Sequence, residues 1–363
     1  MNLAEMPQLW QHAITWLSDH GVVPTLAALH LQNLSGNPED IAEAVMLGGI
    51  QFFIIALVFR PLESLIPIER WTDRRSTRID IQYTLIALLG LLPLFSYLAL
   101  TPLINYLGGG ATFSTGVGTD PVIHITHWFP VLNQHPLLLF LVYYLIYDFV
   151  YYWMHRTQHA IPWLWALHSL HHSQRQVSCW TNDRDCYLAG ALESVVLASV
   201  GLLIGVAPNE FALLMLLGEL VQNFSHANVR IGFGLIFEKI LVAPKFHRLH
   251  HMRVDPSHPT LHNCNFSQAF PLWDILFGTA LYGGAIRPTG VCDPVIDADN
   301  GRGLIAQQLE TLKRFWGAFR RPEGWRLGDV AFGPGYTPIP TGHVDLFAME
   351  RSSSQLVEGT SAA

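Results

Sequence analysis

The histidines of this chain are concentrated in three short clusters whose spacing is that of metal ligands. The clusters are His155-x3-His159, His168-x2-His171-His172 and His247-x2-His250-His251. Residues three and four positions apart share one face of a helix, so each cluster would direct its imidazoles toward one place. Neutral imidazole is a ligand for iron, zinc, copper and nickel. Eight such nitrogens exceed the usual coordination number of one ion, and the pattern therefore predicts a site for two metal ions.

The composition is that of a membrane protein. Half of the 363 residues are hydrophobic and only 13% are charged, whereas soluble domains carry about 25% charged residues. The net charge of −7 comes with no run of lysine and arginine, which excludes nucleic acid as an expected partner. The four cysteines form no CxxC pair, so neither a disulfide framework nor a thiolate zinc site is predicted.

Apolar runs predict an all-α, polytopic bundle of membrane helices with a histidine-rich cytoplasmic cap. The runs lie at about 46–67, 81–107, 136–154, 186–206 and 210–224. A helix needs about 20 apolar residues to cross a bilayer. The second run either spans with tilt or breaks near Pro93. The last two runs are either two tilted spans or a re-entrant hairpin, which leaves about four to five spans and both alternatives open.

Basic residues orient these helices. Residues 1–44 contain no lysine or arginine, whereas the loop after the first run, "ERWTDRRSTRID", contains four arginines. Basic loops face the cytoplasm, which places all three histidine clusters on the cytoplasmic side. We expect an integral protein of the bacterial inner (cytoplasmic) membrane with its active site on the cytoplasmic face.

Three segments follow from this topology: a non-cytoplasmic N-terminal segment (1–44), a membrane-embedded catalytic domain (45–285), and a cytoplasmic C-terminal segment (286–363) with a disordered end. The N-terminus lacks the basic region of a signal peptide, so we expect it to be retained. The stretch 304–321 has apolar residues at helical spacing and a basic end. It either lies on the membrane surface or packs on its own domain.

Carboxylates in apolar runs are costly and usually functional. Asp148 lies seven residues before His155, on the same side of the predicted helix. It is expected to accept the second N–H of a ligand histidine and fix its tautomer, with an ion pair to Arg156 or another arginine as the alternative. Glu193 and Glu219 either orient ligands or serve helix packing.

The stretches "DFVYYWMHRTQHAIPWLWALHSLHHS", "FSHANVR", "PKFHRLHH" and "NFSQAFPLWDILFGT" resemble the fatty acid hydroxylase/sterol desaturase superfamily of integral-membrane diiron enzymes, over residues 45–282. The resemblance implies that the eight clustered histidines are iron ligands, that His226 is a ninth and that His262 is a tenth, with His258 a weaker candidate. Asn265 matches an asparagine of the family, and with Asp148 it is expected to be catalytic. Asp274 matches the family's Trp-Asp pair, and Ser267 replaces a family glycine.

The resemblance implies two non-haem iron ions, O2 as co-substrate, and hydroxylation or desaturation of a C–H bond in a membrane lipid. Sterol, fatty acyl, alkylglycerol, carotenoid and hopanoid substrates all stay open. We find no cytochrome b5-like segment, no nucleotide-binding GxGxxG and no Fe–S motif. Electrons are therefore expected from an external donor, a separate electron-transfer protein of the cytochrome b5, ferredoxin or reductase type.

Three other functions compete with this interpretation. A related acyl-lipid desaturase has the same histidine clusters, but the ending "FGT" favours the hydroxylase side. A membrane metal transporter needs ligands at mid-membrane, whereas these clusters lie just outside the apolar runs. A zinc hydrolase needs only three protein ligands, and the chain has no HExxH.

Overall fold

The computed structural model describes residues 6–31, 37–71, 73–95, 98–99, 125–206, 208–253, 264–283 and 287–326. The predicted all-α class is confirmed over these residues, where extended pairing is limited to two isolated bridges, Pro67 with Val229 and Met252 with Thr289. The helices are α1 (Met6–Leu17), α2 (Val23–Ala28), α3 (Pro38–Ile54), α4 (Arg60–Leu65), α5 (Arg75–Ile86), α6 (Leu92–Phe95), α7 (Ile125–Trp128), α8 (Pro136–Ala160), α9 (Pro162–His172), α10 (Tyr187–Ile204), α11 (Pro208–Ser225), α12 (Gly234–Phe237), α13 (Pro244–His250), α14 (Leu272–Leu276), α15 (Pro294–Asp297) and α16 (Leu304–Phe319).

Three described helical segments are long and apolar enough to cross a membrane: Pro38–Leu65, Pro136–Ala160 and Tyr187–Ile204. These segments support an integral membrane protein. The apolar part of α11, Phe211–Ser225, is shorter, so the choice between two spans and a re-entrant hairpin stays a prediction. The second apolar run, 81–107, is described only to Phe95 and at 98–99.

Proline explains why three helices continue through a widened turn. Five-residue π turns occupy Ser18–Val22, Ile55–Phe59 and Ala87–Leu91, and each ends two residues before a proline, at positions 24, 61 and 93. A proline within a helix removes one N–H donor and its ring crowds the preceding turn. A π turn is a local widening that relieves such crowding. The helix therefore does not end at Pro93 but is described as far as Phe95.

The structure divides into two compact units, each made of three chain segments. The first unit is Met1–Val58, Asp80–Tyr147 and Tyr187–Leu220, and the second is Phe59–Ile79, Asp148–Cys186 and Val221–Ala363. The division predicted from sequence, at residues 44 and 285, stays a prediction.

In the first unit, the start of α8 packs closely on α10. The Tyr147 hydroxyl donates to the carbonyl of Leu197 at 3.0 Å, and Tyr143 donates to Gly205 at 3.3 Å. Gly201 lies beneath the first of these contacts, since a Cβ atom there would be 2.3 Å from the Tyr147 Oη. Only glycine fits between the two helices at this position.

In the second unit, α16 packs against α9, which is the second of the two alternatives for 304–321. Gln307, Thr311 and Phe315 form its buried face. Phe315 and Phe319 contact Trp163, at the start of α9. The opposite side of α16 leaves apolar Ile305 and Leu309 exposed, so packing on α9 covers only part of its apolar surface.

Candidate metal centre

Nine buried histidines converge within the second unit, in two groups. Within each group, one ring nitrogen from every member lies within 4.8 Å of the others. The five-histidine group is His155, His159, His168, His172 and His250, and the four-histidine group is His171, His226, His247 and His251. All eight clustered histidines and His226 are thus brought together. His262 and His258 lie outside the described residues, and their roles stay predictions.

Proline positions explain how three separate helices deliver these side chains. The first cluster occupies the last two turns of α8. Pro162 follows directly, and a residue before proline avoids helical geometry; Ile161 is accordingly extended, with φ −109° and ψ 119°. The chain turns there and begins α9, whose last turn carries the second cluster. Pro244 begins α13, which ends in the third cluster.

The adjacent histidine pairs are divided between the two groups. His171 belongs to one group and His172 to the other, and His250 and His251 are divided in the same way. Neighbouring residues on a helix point about 100° apart, so one helix can serve two centres with two consecutive side chains. The doublets in the sequence are therefore a consequence of two groups.

The nitrogens of the four-histidine group are spaced as ligands of one ion are. The Nε2 of His226 lies 3.1 Å from that of His171, 3.0 Å from that of His247 and 3.1 Å from that of His251. An ion with metal–nitrogen bonds of about 2.1 Å separates adjacent ligands by about 3.0 Å in octahedral geometry. The distances within this group therefore fit a single transition-metal ion.

Hydrogen bonding among the rings does not account for these distances. The Nδ1 of His226 lies 2.7 Å from the carbonyl of Gln222, to which it donates, so its Nε2 carries a lone pair. That lone pair faces three other Nε2 atoms. Burial lowers the pKa of His226 to about 4, which keeps the ring neutral. A cation is the partner that would satisfy all four nitrogens at once.

The five-histidine group also contains buried ring nitrogens that a metal ion would satisfy. The Nδ1 atoms of His155 and His250 donate to the carbonyls of Phe266 and Cys264, at 2.8 and 2.7 Å. The Nε2 of His155 is buried and has no hydrogen-bond partner among the described residues, and that of His250 lies 3.0 Å from the Nε2 of His172. An unsatisfied buried nitrogen costs about 1–3 kcal/mol, which a bound metal ion would remove.

A short backbone segment, 264–270, supplies the carbonyls that orient His155 and His250. We call it the carbonyl loop. Asn265 stands between the two carbonyls with φ +60°, a left-handed conformation that asparagine tolerates better than most residues. Its Nδ2 donates to the carbonyls of Phe246 and Leu281, at 2.7 and 3.0 Å, and its Oδ1 accepts the N–H of Leu281 at 2.7 Å. Ser267, where the family has glycine, needs no positive φ.

Two buried carboxylates hold the same loop. Asp274 accepts the N–H groups of Phe266 and Ser267, both at 2.9 Å. Asp148 accepts those of Ala269 and Phe270, at 2.8 and 3.1 Å.

These contacts correct the expectation that Asp148 accepts an N–H from a ligand histidine. Seven residues of helix separate Asp148 from His155 by about 10 Å, and the histidine N–H meets a carbonyl of the loop instead. Asp148 and Asn265 contact backbone groups, which supports a positioning role for both, and the predicted catalytic role stays a prediction. Glu193 and Glu219 belong to neither histidine group.

Sequence reasoning missed two carboxylates, the partly buried Asp185 and the buried Glu63. The Oδ2 of Asp185 lies 3.8 Å from the Nδ1 of His168, which is longer than a hydrogen bond. Burial raises the pKa of Asp185 to about 7 and lowers that of His168 to about 3, so it disfavours charge on both. The buried Glu63 accepts the N–H groups of Cys179 and Asn228, both at 2.8 Å. The only sequence signal for either residue was an acidic group beside an apolar run.

Comparison with known proteins gives matches over the same region. Residues 140–279 match the family model for fatty acid hydroxylase, which includes all nine grouped histidines and the carbonyl loop. The chain is 27% identical over 200 residues to alkylglycerol monooxygenase of Xenopus tropicalis and 28% identical over 197 residues to that of Homo sapiens. Each match covers 53% of this chain and 41% of the relative.

A third relative has a different activity. The very-long-chain aldehyde decarbonylase GL1-6 of Oryza sativa subsp. indica is 28% identical over 143 residues, which cover 36% of this chain and 21% of the relative. The chain therefore spans less than half the length of these curated relatives. No solved structure matches the chain significantly.

Proposed function

We propose that this chain, which belongs to the fatty acid hydroxylase/sterol desaturase superfamily through its residues 140–279, is a membrane lipid monooxygenase that uses two non-haem iron ions. The observation that carries this proposal is the convergence of nine buried histidines in groups of five and four. An ion held by four histidines keeps more coordination positions open than an ion held by five. All donors are imidazole nitrogens, which suit iron among the transition metals.

The proposed roles of the residues follow from their contacts. The five-histidine group would hold one ion and the four-histidine group the other. When bound, the iron pair supplies the one-electron redox chemistry with O2 that C–H hydroxylation requires. The chain's own part is to keep the imidazoles neutral by burial, to fix the tautomers of His155, His226 and His250 through backbone carbonyls, and to exclude water.

The balanced reaction is R–H + O2 + 2e⁻ + 2H⁺ → R–OH + H2O. The two electrons would come from a separate electron-transfer protein of the cytochrome b5, ferredoxin or reductase type. Because the basic loops favour the cytoplasmic side for all three clusters, we place the docking of this donor and the metal centre on the cytoplasmic face of a bacterial inner membrane.

We propose an ether lipid of the alkylglycerol class as the substrate, because several relatives are alkylglycerol monooxygenases. The test uses the full chain in detergent micelles, with a reducing system and 18O2, on alkylglycerol and on a matched acylglycerol. We expect one 18O atom in the alkylglycerol product. Hydroxylation next to the ether oxygen would give a hemiacetal, which opens to an aldehyde and glycerol, so both fragments are measured.

Other products would identify other reactions. An unsaturated product lighter by two hydrogens would identify a desaturase. Consumption of a very-long-chain aldehyde with no action on alkylglycerol would favour the activity of the rice relatives. Elemental analysis that gives about two irons per chain is required by the proposal, and one zinc or no transition metal would contradict it.

A further inference from the structure

A polar pocket of about 250 Å³ lies at the end of the first candidate membrane span, within the second unit. It is lined by Arg60, Glu63, Ser64, Pro67, Glu69, Arg70, Trp71, Arg74 and Asn228. Since a water molecule takes about 30 Å³ of liquid volume, the pocket has room for a group the size of a phosphate with part of its ester. None of these residues belongs to either histidine group.

The pocket has unsatisfied positive charge. Glu63 accepts two backbone N–H groups and lies 3.7 Å from Arg60, so these two side chains offset each other's charge. Glu69 pairs with Arg248 at 2.9 Å and accepts the indole N–H of Trp71 at 3.0 Å. Arg60 donates to Ser64 at 2.9 Å. Arg70 and Arg74 have no hydrogen bond or ion pair through their side chains with other residues that the structure describes, and both are exposed. The free donors of this pocket are therefore guanidinium groups.

We propose that this pocket binds the phosphate group of a membrane phospholipid. Guanidinium groups bind phosphate oxygens through paired, charge-assisted hydrogen bonds. The pocket begins at Arg60, in the last two turns of the apolar helical segment Pro38–Leu65, and the end of such a segment is the depth at which lipid headgroups lie. Trp71 also lines it, and tryptophan is enriched at that depth. This depth favours the phosphate of a lipid over a soluble phosphate as the ligand of the pocket.

The walls of the pocket are joined to segments that carry histidines of the four-histidine group. The Nδ2 of Asn228 donates to the carbonyl of Glu69 at 2.7 Å, and its Oδ1 accepts the N–H of the same residue at 3.0 Å. Asn228 follows His226 by two residues, and Arg248, which pairs with Glu69, follows His247 directly. A bound headgroup would thus lie against the segment that fixes these two ligands, although the proposal does not depend on the chemistry of the metal centre.

The test measures lipid binding with a charge-matched control. The full chain in detergent micelles is titrated with phosphatidylglycerol and with diacylglycerol of the same acyl chains, and bound lipid is counted by native mass spectrometry. The pocket variant is Arg70→Gln/Arg74→Gln. The control is Arg75→Gln/Arg78→Gln, which removes the same charge from exposed residues of α5 that do not line the pocket.

We expect the pocket variant to bind phosphatidylglycerol about 10- to 30-fold more weakly, because it removes the charge-assisted hydrogen bonds that two guanidinium groups would donate to one phosphate. The control should change binding less than about threefold, because Arg75 and Arg78 do not line the pocket and would act on the phosphate only through screened, longer-range attraction. Diacylglycerol should respond to neither variant. Equal weakening by both variants would show only a diffuse basic surface and overturn the proposal, and so would no weakening by the pocket variant.

Competition with inorganic phosphate distinguishes binding of a lipid phosphate from binding of a soluble phosphate. If it displaced phosphatidylglycerol at comparable concentration, the pocket would bind a soluble anion and the assignment to lipid would be wrong. Iron content is measured on the same samples. Lipid binding that fails while two irons remain contradicts this inference alone, and missing iron with intact lipid binding contradicts the proposed function alone.

Discussion

Replacement of Asn265 should release one metal ion of the two. Asn265→Ala removes three side-chain hydrogen bonds, to Phe246 and to both backbone groups of Leu281. At about 1 kcal/mol each, they contribute about 3 kcal/mol to folding. Alanine at φ +60° adds about 1 kcal/mol of strain, whereas Asn265→Gly adds none. The two variants therefore separate the hydrogen bonds from the backbone conformation.

The effect on metal follows from which histidines the carbonyl loop orients. His155 and His250 both belong to the five-histidine group, and loss of such an orienting partner lowers metal affinity about 10- to 100-fold. We expect Asn265→Ala to lose one iron at a chelator concentration about 10- to 100-fold lower than the unmodified protein does. The second ion should be retained, since His226 is oriented by Gln222 and not by this loop.

The assay loads the purified protein with iron without oxygen, titrates it with a chelator and counts the ions left per chain. Gln307→Ala is the control. It removes a buried side-chain amide of α16 that donates hydrogen bonds to the carbonyls of Asp299 and Arg302, which precede this helix. It should lower stability by about 2 kcal/mol and retain both ions. Loss of both ions together by Asn265→Ala, or retention of both ions as in Gln307→Ala, would contradict this prediction.

Three further predictions address other parts of the molecule. His159→Ala and His247→Ala should each lower the iron content by about one ion per chain, because the two residues belong to different groups. The double variant should lose both ions. Loss of both ions in either single variant would contradict two separable sites. Gly201→Ala should destabilise the protein by about 1–3 kcal/mol, since its Cβ would lie 2.3 Å from the Tyr147 Oη. Adding Tyr147→Phe should restore most of that stability in thermal unfolding. A double variant no more stable than Gly201→Ala would show that the clash is not with the hydroxyl. In a Cys292→Ser background, a spin label at Leu309 should contact lipid, because the exposed apolar residues of α16 lie on that side of the helix. A label at Glu310, about 100° around the helix, should contact water. Equal exposure of both labels to water would place α16 away from the bilayer.

The histidines that the structure groups were visible in the sequence because their signal is local, and their role as metal ligands stays a prediction. Spacing of three and four residues reports one helix face directly. Histidines four residues apart share a group in the structure, whereas those three residues apart are divided between the groups, so the spacing alone did not give the group membership. The resemblance was needed for His226, which stands alone in the sequence. Its place depends on how α11 ends and on the two other chain segments that carry His171, His247 and His251, and no local pattern records that.

The interpretation of Asp148 was wrong in its detail for a related reason. The helix period placed Asp148 on the correct side of α8, but it carried no information about what packs there. The carbonyl loop lies more than 100 residues later in the chain, and it occupies the space between Asp148 and the histidines. Asp185 and Glu63 were missed because a carboxylate that accepts backbone N–H groups has no characteristic spacing in sequence.

The division of the histidine doublets would allow so short a set of helices to build the proposed centre for two ions. α9 ends with His171 and His172, and α13 ends at His250 with His251 directly after it. Consecutive residues there point in different directions, and each pair is divided between the two groups. The carbonyl loop then orients one member of α8 and one of α13 within the five-histidine group, while the four-histidine group depends on His226 and its own helix turn. The two groups therefore share helices but not their orienting backbone groups. Because of this separation, a change in the loop should act on one ion, whereas a one-residue shift in the register of α9 or α13 should disturb both.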